Sequence, residues 1–270
     1  MAQGRREALQ RAILRTVCYP TGMSSAETTS DAANVTWFAT THWTVVLGAG
    51  EGSSAGARLA LEQLCQTYWY PLYAYARRRG HGPHDAEDLV QGFFARLIEK
   101  QVLKGLERGA GRFRSFLLTC FNHFVGDEQD RAGRLKRGGG QKIISLDAEL
   151  SEGRYQLEPA DLQDPEKIFE RRWALTVLET VLARLKAELE SAGKGQLFEQ
   201  LQALVVGEPG AARQAEVAAR LGLSEGAVSV TLHRLRQRYR RLLREEIAQT
   251  VQQVEEVDDE MRHLLASLRR

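Results

Sequence analysis

Apolar side chains recur at three- and four-residue steps through most of this chain and almost nowhere alternate. That period predicts helices rather than strands, and so an all-α protein. Leu61, Leu64, Tyr68, Leu72 and Tyr75 mark one helix face, with Pro71 expected to kink or restart the helix. Leu89, Phe93 and Leu97, with Ile98 beside them, mark a second. Phe116, Leu117, Cys120 and Phe124 mark a third, within a helix expected from about Phe113 to Leu135. Trp173, Val177, Val181 and Leu185 line a fourth over 168–189, and Leu197 to Val205 makes a fifth. Glycines and prolines punctuate these runs at Gly80, Gly82-Pro83, Gly138 to Gly140, 191–195 and 207–212.

The most informative pattern lies at 215–243. Val217, Ala218 and Leu221 share one helix face; Gly222 suits the left-handed residue that ends a helix, and Ser224 suits the N-cap of the next. In that next helix Val228, Leu232, Leu235, Tyr239 and Leu242 form an apolar stripe, and the remaining faces are rich in arginine. Two helices, a short turn and a one-sided basic surface predict a helix-turn-helix whose second helix enters a DNA major groove.

These segments predict two small helical domains joined by a flexible linker, the second carrying the helix-turn-helix. The boundaries are a disordered N-terminal extension at 1–36, a first helical domain at 37–140, a polar, acidic linker at 141–164, a second domain at 165–247, and a helical C-terminal extension at 248–270. Met23 competes with Met1 as the start of translation. In the extension, Ile247, Val251, Val254, Met261, Leu265 and Leu268 keep a four-three spacing. Such a seam either docks a partner helix or packs back on its own chain.

Composition narrows the chemistry. The net charge of the 270 residues is only +2, so a nucleic-acid reading rests on where charge sits. Residues 211–247 hold eight Arg against four Glu, whereas 248–260 hold five acids and no base. Cys18, Cys65 and Cys120 form no Cys-x-x-Cys pair, which indicates neither a disulfide framework nor a zinc site and fits a reducing cytoplasm. No apolar run reaches the roughly 18 residues of a membrane span. His81, His84, Asp85, Glu87 and Asp88 crowd together, but no distant His or Cys completes a metal site. Thr44–Leu47 followed by Gly-Ala-Gly-Glu-Gly lacks the Gly-Lys-Ser/Thr and the alternating strands of a nucleotide fold. Neither metal nor cofactor nor catalysis is expected.

Three residue sets resemble the extracytoplasmic-function (ECF) group of bacterial RNA polymerase sigma factors, within the sigma-70 family. Tyr70 to Arg77 is similar to that family's region 2.1 helix. Asp85-Ala86-Glu87-Asp88-Leu89-Val90-Gln91 with Phe93-Phe94 is similar to its region 2.2 signature, and Ala215 to Leu243 to its region 4. The resemblance implies a sigma factor that binds core RNA polymerase and directs promoter recognition and transcription initiation, acting on the polymerase clamp and flap surfaces. It implies that Asp85, Glu87, Asp88 and Gln91 dock on the clamp. It implies that Phe113, Arg114, His123, Asp127, Arg131 and Arg134 melt and read the minus-10 element; Phe116 and Phe124, by their helical spacing, are expected in the core. At the minus-35 element, Glu225, Gly226, Ser229, Val230 and His233 would reach bases and Arg234, Arg236 and Arg238 would hold phosphates. Gly92 stands where the family has Glu, and Ser229-Val230-Thr231 where it often has Lys-x-Arg, which implies fewer phosphate contacts. An anti-sigma factor, phosphorylation or the C-terminal extension would supply control. The alternative is a one-component regulator that binds duplex DNA without polymerase.

Overall fold

A computed structural model describes residues 55–99, 112–134, 146–156, 164–206, 211–251 and 253–269. The expected N-terminal extension, the choice between Met1 and Met23, and the glycine-rich run after Leu47 lie outside these residues. The described residues form nine α-helices and no strand. In chain order they are α1 (Ala55–Arg78), α2 (Pro83–Glu99), α3 (Phe113–Arg134), α4 (Leu146–Gln156), α5 (Pro165–Ser191), α6 (Gly195–Val205), α7 (Ala211–Leu221), α8 (Glu225–Ala248) and α9 (Val257–Ser267). A single 3-10 turn at Val254–Glu256 precedes α9.

Two compact units result. Among the described residues, the first holds 55–173 with 248–260, and the second holds 174–247 with 261–269. The first unit is built on aromatic contacts. Phe93 meets Phe121 edge-on at 5.3 Å and Phe124 at 5.8 Å, Tyr75 meets Phe121 at 6.2 Å, and Tyr68 meets Phe113 at 5.4 Å. Pro71 lies inside a continuous α1 rather than breaking it. The core stripe of α3 is Phe113, Leu117, Phe121 and Val125, with Phe124 at its edge, whereas Phe116 and Cys120 are only half-buried. The stripe is therefore turned by about one position from that expected, and Phe121 is its unforeseen centre. The same rotation occurs on α2, where Ala86, Val90, Phe93, Phe94 and Leu97 are buried and Leu89 is half-exposed.

Within the stretch expected as linker, α4 is a helix fastened to α1. Arg77 donates from Nε and Nη2 to the two carboxylate oxygens of Glu152, each at 2.8 Å, and the Tyr73 hydroxyl donates to Glu152 Oε2 at 2.7 Å. The Arg77 guanidinium also lies 4.9 Å above the Tyr155 ring. The bond to Arg77 holds the Glu152 carboxyl below its ordinary value against the opposing effect of burial, with Tyr73 adding to the lowering. A depressed carboxylate contributes stability that is present above its unfolded pKa, about 4.3, and is lost as pH falls through the lower folded value. Glu152→Gln is therefore expected to cost about 1–3 kcal/mol at neutral pH. The difference from the parent should close in acid, as read by urea unfolding at a series of pH values.

The second unit packs Val177, Leu178, Val181 and Leu185 of α5 against Phe198, Leu201 and Leu204 of α6, Val217 and Ala218 of α7, and Val228, Leu232, Tyr239 and Leu242 of α8, all buried. The Tyr239 hydroxyl donates to the Leu178 carbonyl at 3.3 Å, which settles its only polar atom inside the core. The turn between α7 and α8 forms as its residues dictate. Gly222 has φ +65°, Leu223 N–H donates to the Ala218 carbonyl at 3.0 Å, and Ser224 Oγ accepts the Ala227 N–H at 3.2 Å.

The C-terminal extension is not one seam. The helix stops at Ala248 and restarts at Val257, so Val254 is exposed and Val257, Glu260, Leu264 and Leu268 form the buried positions instead. The extension packs back on its own chain.

Candidate nucleic-acid interface

The acidic signature sits at the start of α2, where the unpaired N–H groups of a helix favour carboxylates. It divides by helix face. Asp85, Asp88 and Gln91 are exposed, but Glu87 is 3% exposed and accepts a hydrogen bond from Gln91 Nε2 at 3.0 Å. Two outward acids thus make a ridge, and the third belongs to the helix's inner side. Beside them, burial pushes the His81 imidazole down, Arg79 adds to this and Asp85 opposes it. His81 is consequently neutral at physiological pH and adds no positive charge to the ridge.

Two open grooves run between α2 and α3. The larger, about 590 Å³, is lined by Asp85, Asp88, Gly92, Arg96, Phe124, Glu128 and Arg131, among others. The smaller, about 270 Å³, is lined by Phe93, Arg96, Leu97, Cys120, His123, Phe124 and Asp127. The Phe124 ring separates them and packs on bare backbone, because a Cβ on Gly92 would lie 3.1 Å from Phe124 Cζ. Arg96, which the sequence pattern did not single out, joins the two grooves. Its guanidinium is 5.7 Å from the Phe124 ring centre and pairs with Asp127 at 2.9 Å. Its signal was available in retrospect, since an arginine three residues beyond Phe93 falls at the edge of the apolar stripe.

The six sites expected on α3 separate in the same way. His123, Asp127 and Arg131 are exposed and recur every four residues, so they share a face. Arg131 pairs with Glu128 at 2.6 Å, one turn back. Arg134 lies in the last turn of α3. Phe113 and Arg114 lie elsewhere, at 1% and 2% exposure, on the inner side of the helix N-terminus. Arg114 Nε donates to Glu170 at 2.6 Å, Nη1 donates to Glu260, and the guanidinium stacks 4.7 Å from the Trp173 ring. In this arrangement neither reaches a nucleic acid, because aromatic packing and two carboxylates already satisfy them.

In the second unit, Glu225, Gly226, Ser229, Val230, His233 and Arg234 are all exposed at the N-terminal half of α8. Val230 is 52% exposed in the middle of this surface. The arginines further along are differently employed. Arg236 Nη2 donates to the Leu204 carbonyl at 2.7 Å, which caps the end of α6. Arg238 makes a two-pronged pair with Glu188 at 2.6 and 2.8 Å and reaches Glu245 at 3.4 Å. Both are held by the protein's own acceptors, so Arg234 is the arginine of the expected three whose side chain stands clear of the domain.

Among the described residues no group of three or more His, Cys, Asp or Glu is placed to hold a metal ion, and no helix is long and apolar enough to cross a membrane. No curated protein and no solved structure matches the chain. Residues 51–245 match the family model described as ECF sigma factor.

Proposed function

The chain belongs to the ECF sigma factor family, whose members act in transcription initiation with RNA polymerase and promoter DNA, and from that membership we propose a division of labour among its surfaces. The Asp85–Asp88 ridge, with Gln91, docks on the clamp of core polymerase. The exposed face of α3, with His123, Asp127 and Arg131, handles the opened minus-10 strand, with Arg134 in the last turn of the same helix and Arg96 beside it. The N-terminal half of α8 lies in the major groove at minus-35. There Glu225, Gly226, Ser229, Val230 and His233 reach bases, and Arg234 holds a phosphate. The work takes place in the cytoplasm, and the bond chemistry belongs to the polymerase.

The observation that carries this reading is a pair of exposed surfaces on different helices. Asp85 and Asp88 stand out from the start of α2, and Glu225, Gly226, Ser229, Val230, His233 and Arg234 are exposed at the start of α8. A one-component regulator needs the second surface and has no use for the first. Run-off transcription with core polymerase over fragmented genomic DNA tests the proposal. Discrete start sites that depend on the added chain are expected. A chain that binds duplex DNA tightly by itself, while core polymerase neither captures it nor gains promoter specificity, would sink it.

A further inference from the structure

The segment after α8 belongs to the α1–α4 unit, where it closes over the beginning of α3. Val251 and Val257 are buried there, and the Thr250 carbonyl accepts the Phe113 N–H at 3.4 Å. Of the five acids in 248–260, Glu255, Asp258 and Asp259 are exposed and Glu256 is half-exposed. Glu260 alone turns inward, at 1% exposure. One of its oxygens accepts from Arg114 and the other lies 3.1 Å from Arg112 Nε. The two guanidiniums flank the first residue of α3, so a single carboxylate is hydrogen-bonded on one side of the helix start and ion-paired on the other.

A detachable mask would be built differently. It would hold its target at a wet edge, where release exposes groups that water can take over. Arg114 is instead buried, stacked on Trp173 and paired with Glu170 as well, so withdrawing Glu260 would leave a guanidinium N–H without its acceptor where water does not reach. A charge held this tightly fixes geometry.

We propose that Glu260 is a positioning residue for promoter opening. With Thr250 it sets the start of α3, and through this rigid helix the placement of His123 and Asp127, roughly 14 to 20 Å further along at 1.5 Å per residue. The proposal rests on the reading that the exposed face of α3 handles the opened strand. The C-terminal extension is then a working part of the minus-10 reader, and the chain carries no mask there.

The test compares full-length wild type, Glu260→Gln and Glu260→Asp with core polymerase. Transcription is measured on a duplex promoter and on the same promoter made non-complementary across the minus-10 element. Glu260→Gln should keep core affinity and activity on the pre-opened template, and lose roughly ten- to a hundredfold on the duplex, since small misplacements far from the reacting groups have effects of that size. Glu260→Asp should recover part of the loss. Should Glu260→Gln fail to fold, Arg112→Gln removes only the outer pair and should show the same duplex-specific loss in weaker form. Equal losses on both templates, unchanged activity on both, or a gain on the duplex would overturn the proposal, the last result pointing to a mask. A wild type that starts at no promoter overturns the sigma reading itself.

Discussion

Replacing Asp85 and Asp88 together by lysine should weaken capture by core polymerase roughly a hundredfold, because like charges would face each other across the docking surface. Both side chains are exposed on α2 and neither supports the core, so the fold should persist at a cost of about 1–2 kcal/mol from cations at the helix N-terminus. Glu87 provides the contrast. It is two residues from Asp85 but buried, and bonded to Gln91. Glu87→Lys would bury an unpaired cation and is expected to cost about 3–5 kcal/mol of stability, leaving the intrinsic affinity of whatever remains folded unchanged. Anisotropy titration against core polymerase, paired with urea unfolding, separates the two effects. A ridge variant that still binds with full affinity would remove the proposed role of the two acids.

Val230→Glu should reduce minus-35-dependent promoter binding by roughly a hundredfold or more, because it sets a carboxylate among phosphates and base-edge acceptors. The side chain is half-exposed, so thermal stability should hold. Val230→Ala should cost much less, about tenfold or below, the loss of about 1 kcal/mol of apolar contact. The arginines sharpen the same experiment. Arg234→Ala should reduce the slope of log affinity against log salt by about one unit. Arg236→Ala and Arg238→Ala should leave that slope alone and lower stability instead, since their partners are the Leu204 carbonyl, Glu188 and Glu245. If all three slopes fell together, the internal pairs would be giving way to DNA.

Why the pattern of the chain revealed some of this and hid the rest is a matter of range. The turn between α7 and α8 was legible because it is local: Gly222 and Ser224 act on residues within four positions of themselves. The core of the second unit was legible too, because Val177, Val181 and Leu185 recur at four-residue steps and are all buried. Along α3 the period was ambiguous. Phe113, Phe116, Leu117, Leu118, Cys120, Phe121, Phe124 and Val125 are dense enough to support more than one stripe, and the neighbours Tyr68, Tyr75 and Phe93 choose between them. The charged residues were the least legible. Arg114 and Arg238 look in sequence like Arg131 and Arg234, and what distinguishes them is a carboxylate 146 or 50 positions away. The tail misled for the opposite reason. Its four-three spacing is regular, but the helix stops at Ala248, and the phase of the buried face is set afresh by Val257 and Glu260.

The contact between Gly92 and Phe124 has a bearing on how far this protein can be retuned. The gap between α2 and α3 is held by an atom that is not there, and the Phe124 ring occupies the vacated space. A side chain at 92 would press on the Phe124 ring, which would have to give by a few tenths of an ångström. The ring lines the grooves on both sides, so its shift would alter the two together. On the proposed division of surfaces, a change at this position would therefore be felt beside the acidic ridge and beside His123 and Asp127 at once.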